Sequence, residues 1–170
     1  EALPALATRT TLHHQARIDA DGLLTDSLRT TLEGKAAEDE QLSAAQQTED
    51  DRLHEQGAAV AERSALGELL EVTATQCEPR RGRCELLVRF AIPVYATRES
   101  DQRWLVPLNA LSATFQSTLA VSQAKRRSDL YFEEETTTEE VFELEVPAGF
   151  VLESPPPPQR TGGPLVEGEV

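Results

Sequence analysis

Residues 136–158 read TTTEEVFELEVPAGFVLESPPPP, and here the pattern of apolar and polar positions is at its clearest. Phe142, Leu144 and Val146 alternate with Glu143 and Glu145, the period of two expected of a strand with one buried and one wetted side. Pro147, Ala148 and Gly149 interrupt the ladder, because Pro has no N–H to donate and Gly admits positive φ. Phe150 and Leu152 resume a short alternation ahead of the prolines.

The same period appears near the start. Leu12, His14, Ala16 and Ile18 fall on one side, and His13, Gln15, Arg17 and Asp19 on the other. Asp21-Gly22 suits a tight turn. The returning strand then places Leu24, Leu28 and Leu32 on one face, with Thr25, Ser27 and Thr31 on the other, and Gly34 stops it. A hairpin is predicted.

Residues 35–64 change character. They are rich in Ala, Glu and Gln and free of Pro, which predicts helix. The apolar stripe is thin, with Leu42, Ala45, Leu53 and Val60 at helical spacing, and Gly57 marks a weak point. The expectation is an exposed helical insertion over residues 36–63 that lays one narrow side on a sheet.

Alternation returns over residues 67–76, with Leu70, Val72 and Ala74 on one side. The longest apolar comb follows: Cys84, Leu86, Val88, Phe90 and Ile92, ended by Pro93. Trp104, Leu105, Val106 and Pro107 suggest a short edge strand. Further strands are expected over residues 111–121 and 129–133, and residues 154–170 are a Pro- and Gly-rich tail or linker. These segments predict a mainly β chain: an antiparallel β-sandwich over residues 1–153, carrying the helical insertion and followed by an irregular tail.

Composition narrows the function classes. The chain has 170 residues and a formal net charge of −14, which argues against nucleic acid or an anionic membrane surface as partner. No apolar run approaches the roughly 18 residues of a membrane span, so no membrane insertion is expected. The chain starts at Glu1 and contains no Met, from which a processed or excised piece of a longer chain is expected.

The two cysteines, Cys77 and Cys84, flank a polar loop with Pro79 near its start and Gly82 near its end. They can face each other at the neck of a hairpin. One reading is a disulfide, which implies an extracytoplasmic, periplasmic or secreted, setting. The other is a pair of free thiols at strand ends. Two Cys without further ligands make a poor metal site.

The remaining candidate chemistry fails on spacing. His13 and His14 are adjacent on a strand and point to opposite faces, so they cannot share a metal. His54-Glu55 opens like a zinc-protease helix, but Ala58 stands where the second His belongs. Asp19, Asp21 and Asp26 offer calcium a foothold, although a turn with acids explains them more simply. Neither Cys has the His and acid that a thiol nucleophile needs. Lys125, Arg126 and Arg127 read as a strand-edge cluster facing Glu133, Glu134 and Glu135. No catalytic residue, cofactor site or metal site is assigned.

Taken in series, ARIDADGLLTDSLRTTLEGKAA, CELLVRFAIPVYATR and KRRSDLYFEEETTTEEVFELEVPAGFVLESPPP resemble the C-terminal β-sandwich domain, of unknown function, of bacterial transglutaminase-like proteins. The shared features are a strand, a D-x-x-G turn, a strand closing on L-x-G, a central strand pair, and a last strand followed by P-x-G-F and a proline. The likeness spans about residues 10–158. It implies a non-catalytic scaffold or protein-interaction module, with the catalytic Cys, His and Asp of the parent lying upstream, outside this sequence. The family continues through a further strand after the proline, so the resemblance also implies a strand added by a protein partner or by the rest of the precursor. An alternative is a structural or interaction subunit of a secreted or cell-surface assembly. A hydrolase would instead require a pocket joining His14 or His54 to acids and a nucleophile.

Overall fold

The computed structural model describes residues 8–100, 103–107 and 136–151, and the backbone of 160–163 and 166–169. The expected strands at 111–121 and 129–133, and the basic cluster at 125–127 with its acidic partners, lie outside the described residues.

The predicted hairpin forms from β1 (Thr8–Ile18) and β2 (Leu24–Glu33), paired antiparallel from Arg9↔Glu33 to Ile18↔Leu24. Its turn is tied by Asp19, whose Oδ1 accepts from the N–H groups of Asp21 at 2.9 Å and Leu23 at 3.0 Å. Gly22 has φ +82°, and a Cβ there would stand 2.6 Å from the carbonyl oxygen of Ala96. The Gly22 carbonyl in turn accepts from the Ala96 N–H at 3.1 Å. Only glycine lets the hairpin turn dock so closely on the loop after the central strand.

The helical insertion is two helices, α1 (Lys35–Gln46) and α2 (Glu49–Arg63). The break falls at Gln47 and Thr48, not at Gly57. Thr48 caps α2 through a reciprocal box: its Oγ1 accepts from the Asp51 N–H, and its own N–H donates to Asp51 Oδ2. Such a box supplies two helix-end donors with acceptors and so sets a start point, whereas a mid-helix glycine only weakens. The stripe that meets the sheet also differs. Ala37 and Val60 are buried, while Leu42 and Leu53 are exposed.

Next come β3 (Glu68–Val72), β4 (Gln76–Glu78), β5 (Arg83–Ile92), β6 (Thr97–Ser100), β7 (Arg103–Leu105) and β8 (Thr136–Glu145). The main sheet has six strands, in the order β3-β5-β2-β1-β8, with β4 also on β5. The chain is mainly β with a helical insertion, as the alternation predicts. The sheet is mixed and not wholly antiparallel, because β8 runs parallel to β1, from Thr8↔Thr136 to Arg17↔Glu145. A register shift between Leu69 and Glu71 puts Leu69 and Val72 against the core and leaves Leu70 out, so the simple alternation predicted there fails at a bulge.

One face of the sheet carries the core: Leu12, Ala16, Ile18, Leu24, Leu28, Val88, Phe90 and Ile92, joined by Val60 from α2 and by Tyr95 and Ala96. Trp104 of β7 and Val106 pack against it. Among the described residues, the layer over this face is therefore helical, supplemented by the β6–β7 hairpin. The opposite face is wet and charged, with Arg9 on Glu139 at 2.6 Å and Arg89 on Glu71 at 3.0 Å. The tail is less irregular than its composition suggests, since the backbones of β9 (Arg160–Gly163) and β10 (Val166–Glu169) pair antiparallel.

Candidate functional site

The alternation that buries Leu12, Ala16 and Ile18 also buries His14, and the alternation that buries Leu24 and Leu28 buries Asp26. Both side chains are wholly shielded from solvent. The hairpin register sets Ala16 opposite Asp26 and Leu28 opposite His14, so the two polar groups meet on the diagonal. His14 Nδ1 lies 2.6 Å from Asp26 Oδ2.

The parallel partner completes the cluster. Phe142 stands beside His14 in the register, with its ring stacked on the imidazole at 4.3 Å and 12°. Glu140, two residues earlier on the same face, brings Oε1 to 3.2 Å from His14 Nε2. Each imidazole nitrogen therefore faces a carboxylate oxygen. A carboxylate only accepts, so satisfying both contacts with carboxylates requires both nitrogens to donate, which is the imidazolium form.

The electrostatics agree. Burial alone pushes the His14 pKa down, but the hydrogen bonds and charges of Asp26 and Glu140 outweigh it and hold the value above the ordinary histidine range. From above, Arg63 of α2 sets its guanidinium carbon 5.6 Å from the Phe90 ring centroid. Burial lowers the Arg63 pKa, and the fields of Asp26 and Glu140 oppose that fall. Two cations and two carboxylates thus share one low-dielectric region. Among the described residues, Asp26 Oδ1 has no hydrogen-bond partner.

Tyr95 closes the group from the loop after β5. Its hydroxyl donates to the Pro107 carbonyl at 2.5 Å, and burial followed by the charge of Asp26 pushes its pKa up to about 12. The preceding Val94 has φ +55°, a sterically costly conformation for a β-branched residue. It is exposed while Tyr95 is buried, so the strained turn is what carries the phenol inward.

The cluster can hold a proton between two strands, on an imidazole set between two carboxyl groups inside a core. An acid-oriented histidine that acts as a general base needs a ring nitrogen free to face its substrate, and in His14 that nitrogen faces Glu140. The sequence reading placed His14 on the buried face but supplied it with no partners. The available signal was a polar residue on an otherwise apolar comb: Asp26 between Leu24 and Leu28, and Glu140 two before Phe142.

The other sequence candidates separate. Cys77 and Cys84 are bonded, opposite each other across β4 and β5 with Cα atoms 4.1 Å apart. The Cys84 sulfur also touches the Ala37 carbonyl oxygen at 3.3 Å, which sets the bond beneath α1. His13 lies on the wet face, 3.5 Å from Glu143. His54 is exposed on α2. Asp19 ties the hairpin turn while Asp26 points into the core, so the three acids considered for calcium do not converge. Among the described residues no group of three or more His, Cys, Asp or Glu is arranged to hold a metal ion, and no helix is long and apolar enough to cross a membrane. No family model, curated protein or solved structure matches this chain.

Proposed function

We propose that this chain is a non-catalytic β domain of an extracytoplasmic transglutaminase-like protein, acting as a scaffold or protein-interaction module. The observation that carries the reading is the use made of the buried polar groups. Both nitrogens of His14 are committed to carboxylates on neighbouring strands, so the cluster joins β2, β1 and β8 and presents no free base. The disulfide supports the extracytoplasmic part, because such bonds persist where the surroundings are oxidising. The partner is another protein or the remainder of its own precursor, docking by strand addition.

A second reading is a structural or interaction subunit of a secreted or cell-surface assembly. It is favoured by the exposure of Leu42 and Leu53 on the acidic helical arm, which gives a neighbouring subunit apolar points to cover.

One experiment addresses both. Intact source cells are treated with a membrane-impermeant alkylating agent and then a permeant one, and the protein is mapped by non-reducing peptide mass spectrometry. The first reading expects a linked Cys77–Cys84 peptide within a polypeptide whose upstream part holds Cys, His and Asp. The second expects the same linkage without such a segment. Free, alkylated Cys77 and Cys84 contradict both.

A further inference from the structure

We infer that the Cys77–Cys84 bond is a thiol-exchange site, opened at Cys77 by the thiolate of an external dithiol, with Cys84 as the sulfur that leaves. The two ends of the bond are not equivalent. Cys84 lies on β5, inside the sheet, and is buried. Cys77 lies on β4 and is only partly buried. Among the described residues β4 pairs with β5 alone, so Cys77 stands at the margin of the sheet. The inference does not depend on the scaffold reading.

A thiolate displaces one sulfur of a disulfide in line with the S–S bond, so it must reach the attacked sulfur from the side away from the other. For Cys84 that side is the sheet interior, where Leu32 of β2 is its register partner and the Ala37 carbonyl of α1 touches its sulfur. For Cys77 it is the outer side of β4, where no further strand pairs among the described residues. The incoming thiolate forms an S–S bond to Cys77 as the Cys77–Cys84 bond breaks. The electron pair leaves on Cys84, which takes a proton from water. The second thiol of the dithiol, as a thiolate, then attacks its own neighbour in the mixed disulfide, and Cys77 leaves and is protonated in turn. The cysteine pair gains two electrons, and the dithiol becomes a disulfide.

The fold has a place for the product. The Ala37 carbonyl oxygen is 3.3 Å from the Cys84 sulfur. In the bonded form that sulfur carries no hydrogen, but as a thiol it donates to this carbonyl, so reduction orphans no buried donor there. Gln76↔Glu85 and Glu78↔Arg83 pair on either side of the bond. The Gly34 N–H donates to the Gly82 carbonyl at 3.1 Å, and Thr75 Oγ1 donates to Glu40 of α1 at 2.9 Å. These contacts hold β4 and its turn when the bond opens. Reduction then changes one thing at the surface: a Cys77 thiol stands at the sheet margin, able to form a mixed disulfide.

The test uses the whole chain in its folded state. Protein exposed to reduced glutathione is quenched in acid, alkylated with a maleimide and mapped by peptide mass spectrometry. Glutathione on Cys77 with maleimide on Cys84 is expected to exceed the reverse arrangement by at least about tenfold. Reduction by dithiothreitol is expected to run at a rate independent of the unfolded fraction in low urea. Peptide-resolved amide hydrogen exchange at pH 6 should show residues 83–92 keeping their protection in the reduced form. Single variants give a second measurement, since Cys84→Ser leaves Cys77 reactive toward an aromatic disulfide. In Cys77→Ser the remaining Cys84 should react at least about tenfold more slowly until urea unfolds the chain. Glutathione on Cys84 as often as on Cys77 overturns the proposal. So does a reduction rate that rises in proportion to the unfolded fraction, loss of protection over residues 83–92 on reduction, or equal reactivity of the two single variants.

Discussion

His14 and Asp26 lie one diagonal step apart on antiparallel strands, 2.6 Å between Nδ1 and Oδ2, and neither is reached by solvent. A histidine so placed cannot be an incidental core residue. Its charge is balanced locally, and removing either partner leaves the other in a medium that solvates it poorly.

Replacing Asp26 by Ala is therefore expected to destabilise the fold by about 3–5 kcal/mol, the usual cost of leaving one member of a buried ion pair alone. Changing both residues to Leu removes the uncompensated charge as well. Urea unfolding of wild type, Asp26→Leu, His14→Leu and the double variant should show the double variant losing less than the two single losses sum to.

Stability should depend on pH with a definite sign. The folded pKa of His14 is raised, so its contribution is fully present below about pH 6.5 and is lost as pH rises through the folded value. The slope is at most about 1.4 kcal/mol per pH unit. Denaturant unfolding from pH 6 to 9 should show it in wild type and lose most of it in His14→Gln.

Tyr95 reports on the same region at higher pH. Its phenol, pushed up to about 12 by burial and by Asp26, keeps its proton where an exposed phenol at about 10 has lost it. Its stabilising effect is present below about pH 10 and is lost as the pH approaches the folded value. In a Tyr131→Phe background, the phenolate absorbance of the folded protein should rise near pH 12. A rise near pH 10 would count against the buried placement.

Two glycines, one inside α2 and one in the turn after it, should respond in opposite directions. A Cβ at Gly67 would stand 2.7 Å from Val60 Cγ1 and 2.9 Å from the Val60 carbonyl oxygen, in the turn that returns α2 to the sheet. Gly67→Ala is expected to cost about 1–3 kcal/mol through overpacking. Gly57 lies inside α2, where a Cβ would meet only Leu69 Cδ2 among the described residues, at 4.0 Å. Gly57→Ala is expected to stabilise by roughly 0.5–1 kcal/mol through helix propensity and chain entropy. Melting temperatures of the two variants give the comparison directly.

Opening the Cys77–Cys84 bond frees a short loop, for which the chain-entropy account gives about 2.5 kcal/mol. The double Ser variant should unfold at correspondingly lower urea. Its β8 protection at pH 6 should be unchanged, because the bond sits at the opposite side of the sheet.

How much of this was legible follows from the kind of signal each feature leaves. The hairpin, the comb of β5 and the last long strand announce themselves because alternation is a local consequence of having one dry face. The helix break at Thr48 was missed because the glycine at 57 outweighed a capping box spelled by Thr48 and Asp51. The bulge at Leu70 shifted a face that simple alternation placed inward. The cluster itself depends on which strands become neighbours. His14 and Asp26 were within reach of the hairpin register, but Glu140 comes from a parallel partner 126 residues away in sequence, and no local pattern specifies that pairing.

The most direct test of the central claim is a long-range proton–nitrogen NMR spectrum of histidine-labelled protein at neutral pH, with His14 assigned by its absence in His14→Gln. Two protonated ring nitrogens on His14 is the predicted result. A neutral His14 ring with a single protonated nitrogen would contradict it, because the pairing with Asp26 and Glu140 could not then both hold.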